Sequence, residues 1–253
     1  FRVPASGGRA QPIIADGYDA REPDVAPGGG ALVFQGYRDG NWDLFRLDLT
    51  TATVSKLTDD PFDDREPQYS PDGRSIAFAS DRGGSYGVWI LDLASMQMKQ
   101  VSDTPADAYS PSWSPTDTDL AYALVLGREE GALVRQTLDG QAVTLASEAG
   151  TLNGVSWSAD GESIAYQVLR RAGDPVTELR MLEVDSGDVV TWSPEGSDVF
   201  PFRASWSGET VLYTANGEIN RQVRGQSPEV VPFSASFELR RTPYERRPRD
   251  HDD

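Results

Sequence analysis

The chain has 253 residues, enough for one large domain or two small ones, and carries 23 basic against 40 acidic side chains for a net charge of −17. So acidic a body repels phosphate and anionic head groups, which makes nucleic acid and membrane surfaces poor partners. With no cysteine and one histidine, His251 near the C-terminus, disulfide frameworks, thiolate nucleophiles, zinc–cysteine sites and a Ser-His-Asp triad confined to this chain are excluded.

From the N-terminus, residues 1–4 and 9–14, split by Ala5-Ser6-Gly7-Gly8, read as the third and fourth strands of an incomplete unit. The chain begins at Phe1 without a charged and apolar leader, so a signal peptide is expected to have been removed or to lie outside this stretch. No apolar run approaches the roughly 18 residues of a membrane helix. The 24 glycines and 17 prolines leave little room for 3.6-residue patterns and point to short strands and many turns.

Beyond residue 14 a repeat sets in. Ala26-Pro27, Ser70-Pro71, Ser114-Pro115 and Ser158-Ala159 recur every 44 residues, and Trp206-Ser207-Gly208 follows with a spacing of 49 from Trp157. One large residue precedes each later turn (Tyr69, Trp113, Trp157, Trp206), with Val25 in the first copy. After the turn, pairs two apart return in all five copies: Leu32/Phe34, Ile76/Phe78, Leu120/Tyr122, Ile164/Tyr166 and Val211/Tyr213. A spacing of two is strand periodicity, so each pair faces a core. In the second copy, residues 66–70, 76–80, 87–93 and 98–102 read as strands a, b, c and d, with Pro71-Asp72-Gly73 as the a–b turn. The same order fits 22–58, 109–146, 154–193 and 202–234. Such a unit cannot bury both faces alone, and stacking units around an axis gives a propeller. The tryptophans and the strand-b aromatics are assigned to intersheet packing rather than to a ligand-stacking surface.

The run Arg65-Glu66-Pro67-Gln68-Tyr69-Ser70-Pro71-Asp72-Gly73-Arg74-Ser75-Ile76-Ala77-Phe78-Ala79-Ser80-Asp81-Arg82 resembles the TolB-type (WD40-like) propeller repeat of bacterial periplasmic proteins. The third copy keeps Pro111-Ser112-Trp113-Ser114-Pro115, the fourth Ser156-Trp157-Ser158-Ala159-Asp160-Gly161, and the fifth only Ser205-Trp206-Ser207-Gly208. The resemblance spans 1–234 and implies an all-β propeller of four-stranded antiparallel blades, five full and a partial sixth, in a periplasmic or secreted protein. Residues 236–239 are expected to add a strand to the partial blade, so that 235–253 form a closing strand and a charged linker. The stretch from Val231 to Asp250 is also similar to the join between propeller segments in amidohydrolases with TolB-type repeats. Residues 240–253 carry five arginines against one glutamate and three aspartates, as a solvated linker would.

The loops from strand d to the next strand a contain Asp19-Ala20-Arg21-Glu22-Pro23, Asp63-Asp64-Arg65-Glu66-Pro67 and Asp107-Ala108-Tyr109-Ser110-Pro111. In a propeller these loops open on one end of the central channel. Asp19, Asp63 and Asp107 are therefore expected to form part of an acidic ring that receives calcium or another hard cation, or a basic peptide. The competing expectation is that each aspartate caps its own loop by accepting backbone N–H bonds, with Arg21 and Arg65 paired to neighbouring carboxylates. Thr151 and Phe200 stand at the equivalent positions of copies four and five, which leaves the ring incomplete. Asp59-Asp60 and Asp63-Asp64 lack the spacing of a calcium loop, no Gly-x-Ser-x-Gly occurs, and Gly28-Gly29-Gly30 replaces Pro-Asp-Gly as an a–b turn.

The sequence thus reads as a non-enzymatic binding module that recognises a protein or peptide at the channel mouth, without a resident cofactor. The alternative is the accessory propeller of a larger hydrolase, amidohydrolase-like or oligopeptidase-like, covalently linked to a catalytic domain outside these residues.

Overall fold

Strand b carries the strongest apolar pattern in every copy, and it forms the buried middle of each sheet. The computed structural model describes residues 1–14, 19–38, 40–171 and 175–236, and these contain no helix. Five four-stranded antiparallel sheets follow one another, each ordered a-b-c-d by sequence. Their strands b are Ala31–Arg38, Ser75–Ser80, Asp119–Gly127, Ser163–Arg170 and Thr210–Ala215. Strands d lie mostly exposed at the outer edge, three residues long in Met98–Gln100 and Val189–Thr191 and seven in Ala142–Glu148.

Cores lie between blades rather than within one. Val33 and Leu44 of blade 1 pack with Tyr69, Ile76, Phe78 and Leu91 of blade 2. Ala121, Ala123 and Leu133 of blade 3 pack with Trp157, Ile164 and Tyr166 of blade 4 in the same way. Because successive strand residues point to opposite faces, a strand b with neighbours on both sides is apolar at consecutive positions, and Ala31 to Phe34 are all buried. Trp113 and Trp157 are buried at equivalent positions, 6% and 8% exposed. Trp206, assigned from the sequence to the same intersheet packing, is only half-buried.

The sides of blades 5 and 1 that face away from the other blades border on the N-terminal segment. Ile13 and Ile14 cover Leu32, Phe34, Phe45 and Leu47 of blade 1. Gly8–Arg9 runs parallel to Phe233–Ser234, and Arg2 forms an antiparallel bridge with Gln11. A four-stranded sixth sheet is not formed among the described residues, and the expected closing strand at 236–239 lies, from 237 on, outside them.

Strand a is the inner edge of each blade, paired on one side only, so its other backbone groups need partners. In blades 2, 3 and 4 the preceding blade supplies some of them. Asp24 accepts the amide of Tyr69 at 2.8 Å, Gln68 that of Trp113 at 2.7 Å, and Ser112 that of Trp157 at 2.9 Å. A second row lies two residues earlier: Glu66 accepts the Ser110 amide at 2.5 Å, and Ser110 Oγ that of Gly154 at 3.0 Å. In that row the chain bulges. Glu22, Glu66, Ser110 and Gly154 have φ between 48° and 58°, and the a–b register shifts at each. Proline follows the first three, tolerated because its missing N–H falls on the unpaired edge.

Candidate binding face at the upper channel mouth

The end of the channel where each strand a begins is here called the upper mouth. Asp19 binds Arg21 through two hydrogen bonds of 3.1 and 3.3 Å, and both side chains are exposed. Asp63 is more heavily engaged. Its Oδ1 accepts the amide of Trp42 in the preceding blade at 3.0 Å, while Oδ2 accepts Arg65 at 2.8 Å and the Tyr86 hydroxyl at 3.2 Å. Asp107 accepts the amide of Tyr86 at 3.0 Å. Trp42 and Tyr86 are 44 residues apart, as are Asp63 and Asp107, so the same clamp joins blade 2 to blade 1 and blade 3 to blade 2. In both, a carboxylate at the start of strand a closes on the start of strand c one blade back.

Burial alone would raise the Asp63 carboxyl, but the Trp42 amide, Arg65 and Tyr86 outweigh it and hold the group below its ordinary range. The Tyr86 hydroxyl is pushed up to about 12, first by burial and then by Asp63. Tyr109 is raised as well, by burial and then by Asp107.

Over these carboxylates lies a row of planar groups. The Arg21 guanidinium sits 5.1 Å from the Trp42 ring, Arg65 lies 5.6 Å from Trp42 and 5.7 Å from Tyr86, and Tyr86 meets Tyr109 at 4.8 Å. Arg21, Arg65 and Tyr109 share one repeat position, Trp42 and Tyr86 another. The upper mouth therefore presents guanidinium and aromatic planes with carboxylates behind them, and the sequence reading had named only the charged members. Among the described residues no three His, Asp or Glu side chains are placed to hold a metal ion.

Deeper in the channel Arg203 crosses the axis. Its guanidinium donates to the carbonyls of Glu66, Pro67 and Pro111 at 3.3, 3.3 and 3.0 Å and to that of Val155 at 3.3 Å, which lie on blades 2, 3 and 4. The Glu22 carboxyl is raised to about 7 by burial, with Arg203 opposing the rise and Glu66 adding to it. Below Arg203 the lower mouth is a cavity of about 400 Å³ ringed by Pro27, Pro71 and Pro115 over Tyr69, Trp113 and Trp157.

Five antiparallel four-stranded blades around a polar channel define a β-propeller. Solved structures share this fold: it matches TolB from Acinetobacter baumannii with a TM-score of 0.69 at 18% identity, covering 87% of this chain and 59% of that one. A putative TolB from Agrobacterium tumefaciens matches at 0.73 and 16% identity, covering 87% and 82%. An oligogalacturonate lyase in complex with manganese matches at 0.59 and 17%, covering 81% and 59%. The chain thus has the TolB-like propeller fold and spans less than two thirds of the Acinetobacter protein's length. Sequence comparison matches it to no family model and to no curated protein.

Proposed function

We propose that this propeller is a binding module of an extracytoplasmic bacterial protein and recognises a protein or peptide segment at its upper mouth. The observation that carries this reading is the row Arg21, Trp42, Arg65, Tyr86 and Tyr109, a partly exposed strip spanning three blades. Aromatic and arginine planes supply large contact area at low entropic cost, as in protein interfaces generally. Asp19, Asp63 and Asp107 act here by holding the planes in place and by offering carboxylate edges to donors on the ligand. Charge pairing within the strip leaves stacking and hydrogen bonding, rather than net charge, as its means of recognition.

The test is a panel of immobilised random dodecapeptides probed with the purified chain and with its Trp42→Ala and Arg65→Ala variants. Binders lost in both variants, while far-ultraviolet circular dichroism keeps the β signature, support the reading. Binders that ignore both changes place recognition elsewhere and overturn it.

A further inference from the structure

The clamp that joins the first three blades stops at the fourth. Where Asp63 and Asp107 stand in blades 2 and 3, blade 4 has Thr151, and where Trp42 and Tyr86 begin strand c, blade 3 has Glu130. At this interface a cleft of about 830 Å³ opens on the upper mouth, lined by Val125, Gly127, Arg128, Glu129, Thr151 and Arg171. Arg128 lies in the two-residue turn between Asp119–Gly127 and Glu130–Thr137, and Arg171 directly follows Ser163–Arg170.

These two arginines differ from the others of the mouth. Arg21 and Arg65 are each neutralised by an aspartate two residues away. Among the described residues Arg128 and Arg171 have no ion pair, and Arg171 makes only a 3.4 Å hydrogen bond to the Thr151 hydroxyl. Both are exposed. Among the described residues that line the cleft, two guanidiniums without ion pairs stand against one carboxylate, a net positive lining in a chain with net charge −17. Glu129, the one carboxylate in the lining, is exposed and pairs with neither arginine. A guanidinium offers a fork of donors that fits a carboxylate in a bidentate pair, and the Thr151 hydroxyl adds a donor beside it.

We propose that the cleft between blades 3 and 4 is an anion subsite for a carboxylate of the polypeptide bound at the upper mouth, with Arg128 and Arg171 as its ligands. This rests on the peptide-recognition reading and sets the partner's chemistry: an acidic segment, not the basic one that the aspartates alone would suggest. Thr151 stands where blades 2 and 3 have Asp63 and Asp107, so this position supplies no carboxylate to the cleft.

The same random dodecapeptide panel tests it, read with the native chain, with Arg128→Gln/Arg171→Gln and with Thr151→Asp, which puts a competing carboxylate into the cleft. The expected result is that bound peptides are enriched in Asp and Glu. A selected peptide should lose about tenfold or more in affinity on the double change and on Thr151→Asp, and its Asn/Gln counterpart should bind the native chain no better than it binds the double variant. Binding of the acidic peptide should also weaken with added salt. Both arginines are exposed, so unchanged circular dichroism and tryptophan emission establish that the variants fold. Binders without acidic bias, or bound equally by the double variant yet lost in Trp42→Ala, overturn the anion subsite and leave recognition at the mouth standing. A panel with no binders overturns both.

Discussion

Asp107 accepts the amide of Tyr86 from one blade back, at the same 3.0 Å that separates Asp63 from the amide of Trp42. The two bonds are one feature repeated 44 residues apart. They make the upper rim of blades 1 to 3 a chain of interlocked loops, because an aspartate that ends one connection also fixes the start of another.

Asp63 and Asp107 should therefore contribute unequally. Asp107→Ala removes the acceptor of one amide and should cost about 1 kcal/mol, whereas Asp63→Ala strips Trp42, Arg65 and Tyr86 of an acceptor and should cost about 2–3 kcal/mol. Urea midpoints at unchanged slope measure the difference. Equal losses would show that the extra bonds of Asp63 contribute nothing.

Gly154 has φ +58°, and a Cβ there would come within 1.9 Å of the Gln167 side-chain oxygen. Gly154→Ala must displace Gln167, whose Nε2 donates to the Phe202 carbonyl at 2.6 Å. A loss of about 1–3 kcal/mol is expected from the backbone strain together with the lost bond. In Gln167→Ala the space is vacated, so Gly154→Ala on that background should cost less than it does alone. Strict additivity in the double-mutant cycle would count against the contact.

The tryptophans offer a graded series. Trp113→Ala and Trp157→Ala remove buried rings and should each cost roughly 3–5 kcal/mol, while Trp206→Ala, half-buried beside blade 4, should cost distinctly less. Thermal melts of the three variants rank them, and a Trp206 change as severe as the other two would contradict the packing seen here.

Glu22 ties stability to pH. Its carboxyl is raised from 4.5 to about 7 in the folded chain, so the fold holds that proton more tightly than the unfolded chain does. The contribution is fully present below pH 4.5 and is lost as pH rises through about 7. Glu22→Gln removes the titration: relative to the native chain it should gain stability between those limits as pH increases. Melting temperatures taken across the window check this, and a constant difference between the two proteins would place the Glu22 pKa at its ordinary value.

Much of the fold was legible in the sequence because its signals are local and repeated. The Pro-Asp-Gly turn, the pairs such as Ile76/Phe78 and the large residue before each turn depend on neighbours a few positions away, and five copies reinforce them. The upper mouth was legible only in part. Asp19, Asp63 and Asp107 were visible as a recurring charge with Arg21 and Arg65 as neighbours, but the partners of Asp63 and Asp107, the amides of Trp42 and Tyr86, lie 21 residues away and bear no mark of their role. The 44-residue interval between Trp42 and Tyr86 was the available signal. Arg203 left no such trace, since the copies before it carry Glu22, Glu66, Ser110 and Gly154 at its position.

Arg203 also makes the centre of the propeller depend on contacts remote in the chain. The bonds that link strand a of one blade to strand a of the next join residues 44 or 45 positions apart, whereas Arg203 reaches carbonyls 48, 92, 136 and 137 positions earlier, at Val155, Pro111, Pro67 and Glu66. One side chain of the fifth blade thereby ties blades 2, 3 and 4 to a common centre, a link that no pair of neighbouring repeats supplies.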